Sequence, residues 1–215
     1  MSVMSDKEIL DALEKGELVI SEFDKKLLQS ASYDLRLGRR VLKSTTDGES
    51  PIVDLEKERV LQIGTGEFVE VITLEKLELP SNICGRIGIR SYFTRKGLIF
   101  FSGPQVDPGF KGHLVISLFN TGPRPIIMKY GEPFCTIEFC KTGKAVEKPY
   151  EGPYQNQTDF PTENIEFIMG AKGITLYEVS ELMKKLSHDV KWMKYLLGFI
   201  FAALLSQLIL RIFGL

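Results

Sequence analysis

The pattern of apolar and polar positions changes period twice along the chain. Ile9, Leu10 and Leu13 recur at helical spacing behind Ser5-Asp-Lys-Glu8, a capping-box pattern, and Gly16 supplies the stop. From Leu18 onward the spacing shortens to two. Runs at 53–55, 60–63, 68–74, 83–89, 98–101, 113–119, 125–128 and 134–139 are short and rich in β-branched and aromatic residues. Asp47-Gly48 and Gly64-Thr-Gly66 provide turn chemistry between the early ones. In 113–119, Leu114, Ile116 and Leu118 alternate with Val115, Ser117 and Phe119, so both faces are mostly apolar and the strand lies within a sandwich or barrel. Many short strands at this spacing predict an all-β sandwich or closed barrel with a short helix packed on its outside.

The period then lengthens again. Thr175-Leu-Tyr-Glu178 is a second capping box, followed by Val179, Leu182, Leu186, Val190 and Met193 at spacings of three and four, with Glu181, Lys184, Lys185, Asp189 and Lys191 between them. This stripe predicts an amphipathic helical stalk. After Lys194, residues 195–215 contain a single charge, Arg211, and as a helix would span roughly 30 Å, the thickness of a hydrocarbon core. Lysines and Trp192 and Tyr195 flank the N-terminal side, where interface residues belong. The reading is a C-terminal tail anchor with the preceding domain in the cytosol, against the alternative of a buried oligomerisation helix. The expected organisation is a domain at 1–170, a stalk at 171–194 and a transmembrane tail at 195–215.

Composition narrows the chemistry. A formal net charge of -1 over 215 residues offers no global field for nucleic acid, so any basic site is local. Cys84, Cys135 and Cys140 sit in strand-like runs and form no disulfide framework, and residues 1–10 contain no signal-peptide core. With His113 and His188 as the only histidines and no C-x-x-C, the ligand set of a zinc deaminase is missing.

Candidate chemistry concentrates between Ile89 and Asn120. Arg90, Ser91 and Arg95 place two permanent cations and a hydroxyl within six residues, suited to phosphate oxygens. Ser102-Gly103-Pro104 can turn backbone groups toward a ligand, and Asp107-Pro108-Gly109 is a turn carrying a carboxylate able to hold or deprotonate water. The bland reading is solvated arginines and an ordinary turn.

These residues resemble the dCTP deaminase and trimeric dUTPase family. IRSYFTRKGL lies over its phosphate motif, VDPGFKGHLVISLFN over its third motif, and SASYDLRLG over its opening motif. KYGEPFCTIEF and PYEGPYQNQ are similar to its late strand and C-terminal arm. The resemblance implies a jelly-roll-like β-fold acting as a homotrimer with sites between subunits. It makes Asp107 the water-activating aspartate and Arg90, Ser91 and Arg95 the phosphate ligands. Gly103 and Ser117 fall in the base pocket, and Asp34 in a supporting role. Tyr154 and Gln157 fall on an arm that closes over a triphosphate whose Mg²⁺ is bound through the phosphates; the alternative for 150–157 is a surface loop.

Two chemistries use such a scaffold: hydrolysis of dUTP to dUMP and pyrophosphate, and zinc-free deamination of dCTP. In the deaminases a glutamate ten residues after the aspartate moves the protons; here that position is Ser117. Tyr92 and Thr136 also depart from the deaminase pattern, and Glu138 is the carboxylate left nearby to substitute. The expectation is therefore a membrane-tethered dUTP diphosphatase. The alternatives are a dCTP deaminase, possibly bifunctional, and a non-catalytic nucleotide sensor.

Overall fold

In the computed structural model of the chain, residues 2–43, 52–169 and 176–213 are described, with side chains over 2–43, 52–168 and 179–207. The chain forms two units, 1–173 and 174–215.

The first unit is mostly β. Its elements run β1 (Ser2–Val3), α1 (Asp6–Glu14), β2 (Val19–Ile20), β3 (Tyr33–Lys43), β4 (Ile52–Asp54), α2 (Leu55–Glu58), β5 (Val60–Ile63) and β6 (Phe68–Glu78). They continue β7 (Ile83–Ile89), α3 (Ser91–Thr94), β8 (Leu98–Phe100), β9 (Gln105–Val106), β10 (Lys111–Asn120), β11 (Ile126–Lys129), β12 (Pro133–Lys141) and α4 (Thr162–Met169). A curled ten-stranded sheet follows the order β8-β10-β6-β3-β12-β7-β9, with β1, β2 and β4 added at its margins; β11 and β5 pair separately. The fold is thus a half-barrel of antiparallel strands.

Local chemistry explains most element ends. Ser5 and Glu8 form the reciprocal cap of α1 expected from the spacing. Leu55 leaves the strand expected at 53–55: the Asp54 carboxylate accepts from Glu56 N at 3.1 Å and starts a helical turn instead. The Asp47-Gly48 turn and the Thr175 capping box lie outside the described residues.

The sheet has two differently covered faces. On β10, Leu114, Ile116 and Leu118 enter the main core with Val69, Val71, Leu35 and Phe134. The other face carries Val115, which packs with Phe68 of β6 around a smaller cluster of Leu42, Ile72, Phe160 and Ile168, so α4 and the segment before it cover this face. Strand alternation produces both surfaces from one sequence.

The second unit is one helix, α5 (Leu176–Phe213), in which the expected stalk and tail are continuous. Among the described residues, no helix is long and apolar enough to cross a membrane. The described side chains of the apolar run, 195–207, cover only roughly 20 Å at about 1.5 Å per residue, and they end on the polar pair Ser206 and Gln207. The expected tail anchor, membrane partner and membrane localisation are corrected accordingly. The remainder of that expected span, including the Arg211 side chain, lies outside the described side chains.

Candidate functional site

The cationic turn is built where β7 runs out. Arg90 N donates to Phe134 O at 3.0 Å, and the chain then closes the single turn of α3, with Arg90 as its N-cap and Arg95 as its C-cap. Arg90 Nε lies 3.2 Å from Asp34 Oδ2, and its Nη1 donates to Pro133 O at 3.1 Å. Asp34 is buried in the middle of the β3–β12 ladder, opposite Thr136. Burial pushes its carboxyl above the usual carboxylate range, against the opposing pull of Arg90, Thr136 and Gln29. Asp34 therefore holds Arg90 in place from beneath, while Ser91 and Arg95 stand exposed to solvent. Tyr92 is also exposed, its ring face covered by Lys96 Nζ at 3.8 Å.

Asp107 sits on the hairpin that crosses from β8 to β10. Phe110 N donates to Asp107 O at 3.1 Å, closing a turn with Pro108 and Gly109 at its centre. Gly109 has φ +87, and a Cβ there would meet Pro149 at 2.5 Å, so both the turn and the packing need glycine. Gln105 Nε2 donates to Asp107 Oδ1 at 2.7 Å and fixes the exposed carboxylate. Asp107 opens into a pocket of about 430 Å³ lined by Cys84, Gln105, Pro108, Lys148 and Tyr150 among others. Gly103 lies exposed on the same hairpin, with space around it.

The segment carrying Tyr154 and Gln157 is docked along the start of β10. Asn156 N donates to Lys111 O at 2.7 Å, His113 N donates to Gln157 O at 2.8 Å, and Gln155 Nε2 reaches Gly109 O at 2.9 Å. Gly112, at φ +143, accommodates this approach: a Cβ would meet Gln157 N at 2.8 Å. The Tyr154 side chain is exposed, and Gln157 Nε2 donates to Asp159 O at 3.2 Å.

Ser117 lies on the outer face of β10, directly across the ladder from Glu70 of β6. Its N–H donates to Ser102 Oγ at 3.1 Å, and its Oγ donates to Glu70 Oε1 at 3.1 Å. Asn164 Nδ2, from α4, donates to Glu70 Oε2 at 2.8 Å. Glu138 is elsewhere: it is exposed on β12, paired across the ladder with the exposed Arg86, and its register keeps it away from Ser117. Sequence reasoning missed Glu70. The available signal was a lone carboxylate on the otherwise apolar outer face formed by Phe68, Glu70 and Ile72.

One chain does not bring Arg90 and Asp107 together. Asp107 shares its pocket with Cys84, near the start of β7, whereas Arg90 follows the end of that strand. Cys84 and Arg90 are separated by roughly 20 Å along the extended backbone at about 3.3 Å per residue.

Residues 3–142 match the family described as dCTP deaminase-like. The dCTP deaminase of Pyrococcus horikoshii is 37% identical over 144 residues, which cover 67% of this chain and 88% of that protein. The protein named dCTP deaminase, dUMP-forming, of Dictyoglomus thermophilum is 34% identical over 188 residues, 77% of this chain and 96% of its own length. Among solved structures, 2'-deoxycytidine 5'-triphosphate deaminase from Agrobacterium tumefaciens superposes with a TM-score of 0.55 at 20% identity, over 65% of this chain and 48% of that one.

Proposed function

The chain belongs to the dCTP deaminase-like family, and on that premise we propose that it is a dCTP deaminase, converting dCTP and water to dUTP and ammonia. The observation that carries the reading is that the matched residues, 3–142, contain Asp34, Arg90, Ser91, Arg95, Gly103, Asp107 and Ser117. Relatives matched over this region are named for dCTP deamination. The cationic turn supports a triphosphate ester as the substrate. Arg90, Ser91 and Arg95 offer charged and hydroxyl donors, and the Asp34 carboxylate keeps one guanidinium aimed. The gap between the two halves of the site favours a homo-oligomer, the expected trimer, in which neighbouring copies complete one another.

Among the described residues, no group of three or more His, Cys, Asp or Glu side chains is placed to hold a metal ion. The donor set fits Mg²⁺ carried by the substrate's phosphates, where it would neutralise charge beside Arg90 and Arg95.

Hydrolysis of dUTP, the first expectation from the sequence, becomes the second reading. The fixed, exposed Asp107 favours it: one oxygen is held by Gln105, leaving the other available to orient water. The Dictyoglomus relative's name, dUMP-forming, describes both steps on one protein. Incubation of the chain with dCTP, dUTP, dTTP and dATP plus Mg²⁺, with chromatographic separation of products, tests the proposal. Ammonia and a uracil nucleotide from dCTP alone are expected. Pyrophosphate from dUTP with dCTP untouched would replace the first reading by the second, and binding without turnover would make the protein a nucleotide sensor.

A further inference from the structure

Deamination of a cytosine ring moves protons in both directions, so it needs a group that can gain and lose one without breaking the fold. The buried carboxylates differ sharply in this respect. Asp34 faces Arg90, Glu67 faces Lys43 Nζ at 2.9 Å, and Glu75 faces Arg36 Nε at 2.6 Å. Each would lose an ion pair on protonation. Glu70, 8% exposed, is the exception among the described residues: its hydrogen-bond partners are the Ser117 hydroxyl and the Asn164 amide, both neutral. It can take up a proton while both neighbours reorient, because a hydroxyl and a carboxamide each donate and accept.

Its position is tied to the hairpin. Ser117, which binds its Oε1, is joined to the Asp107 hairpin through Ser102 Oγ and through Phe101 N, which donates to Ser117 O at 2.9 Å. The second partner is informative as well. The carboxamide of Asn164 presents an NH₂ donor beside an acceptor on a planar frame, the same pairing as the amino and ring-nitrogen edge of cytosine. Asn164 Nδ2 donates to Glu70 Oε2 at 2.8 Å.

We propose that Glu70 is the proton-transferring catalytic residue for deamination, with Asn164 occupying the place of the cytosine edge until the nucleotide displaces it. The inference rests on the dCTP deaminase reading and names the group that reading lacks at Ser117. In the step, the oxygen of water bonds to C4 while Glu70 takes one of its protons and passes it to N3. Glu70 then takes the remaining hydroxyl proton and delivers it to the amino nitrogen. The C4–N bond breaks with its electron pair on nitrogen, ammonia leaves, C4=O forms and the carboxylate is restored. Ser117 holds the carboxylate's orientation.

The test uses the full chain with dCTP and Mg²⁺ and measures ammonia. Glu70→Gln, which preserves shape and hydrogen-bonding capacity, is expected to lower release by about two to four orders of magnitude, the weight of general acid–base catalysis. Unchanged release from folded Glu70→Gln overturns this inference and leaves the deaminase reading standing. No ammonia from the unaltered protein overturns both. If circular dichroism shows that Glu70→Gln does not fold, Glu70→Asp decides, since it keeps the charge and draws the carboxylate back by one carbon. Ammonia release lowered at least about tenfold in the folded variant supports the assignment, and unchanged release refutes it.

Discussion

The two faces of β6 treat a buried carboxylate in opposite ways. On the inner face, Glu75 is fully sequestered and closed off by Arg36, whose Nε and backbone N both donate to it, at 2.6 and 2.8 Å. On the outer face, Glu70 is nearly as buried yet meets a hydroxyl and an amide. A charge locked against a cation in low dielectric is costly to disturb and serves the fold. A carboxyl among neutral donors can change its proton count and remain bonded. The same strand thus carries a structural carboxylate and a chemically available one, separated only by the side to which the pleat turns them.

Breaking the inner pair should have the largest effect on stability. Arg36→Met is expected to cost about 3 to 5 kcal/mol by urea denaturation, because Glu75 is left buried without its cation. A loss no larger than that of an ordinary surface substitution would remove the distinction between the faces.

Arg90 is the inner-face arrangement brought to the surface, with its side chain 37% exposed above Asp34. Arg90→Ala or Arg95→Ala should weaken triphosphate binding roughly ten- to a hundredfold, about 1.5 to 3 kcal/mol for a charge-assisted bond. Binding of the free nucleoside should change far less in calorimetry. Equal weakening of both ligands would assign these arginines to structure.

The outer face should yield more gently. Asn164→Ala removes one neutral donor from Glu70 and is expected to cost only about 1 kcal/mol in the same denaturation experiment. A penalty matching that of Arg36→Met would show that Glu70 is as locked as Glu75.

The smallest effect concerns Asp34, whose carboxyl is raised by burial. Such a group binds its proton more tightly folded than unfolded, so its contribution favours the fold below its unfolded pKa and is lost as pH rises through the folded one. Asp34→Asn should therefore hold or slightly raise the melting temperature, with the gain over wild type growing as pH rises above about 4, the ordinary carboxylate value. A gain that shrinks with rising pH would mean that Arg90, not desolvation, governs this carboxyl.

The linear sequence determined the parts that depend on near neighbours. The capping box at Ser5, the Asp107 turn with its left-handed Gly109, and the alternation that sends Leu114, Ile116 and Leu118 inward are all local steric and hydrogen-bonding facts. That Arg90, Ser91 and Arg95 share one short stretch was legible for the same reason, since the single turn of α3 and its two caps hold them. Tertiary structure decided the rest. Glu70 and Ser117 lie far apart in the chain and meet only through ladder register, while Glu138, near the late strand's Thr136, is turned outward by that same register. It also placed Arg90 and Asp107 at opposite ends of β7, which no spacing along the hairpin could reveal. The tail shows the limit from the other side. Hydropathy read over 195–215 suggested a membrane span, but the described helix is not long and apolar enough to cross a membrane. Local sequence sets which side a residue faces within its own strand; only the assembled sheet sets what waits there, because partners across a ladder are chosen by packing and register rather than by proximity along the backbone.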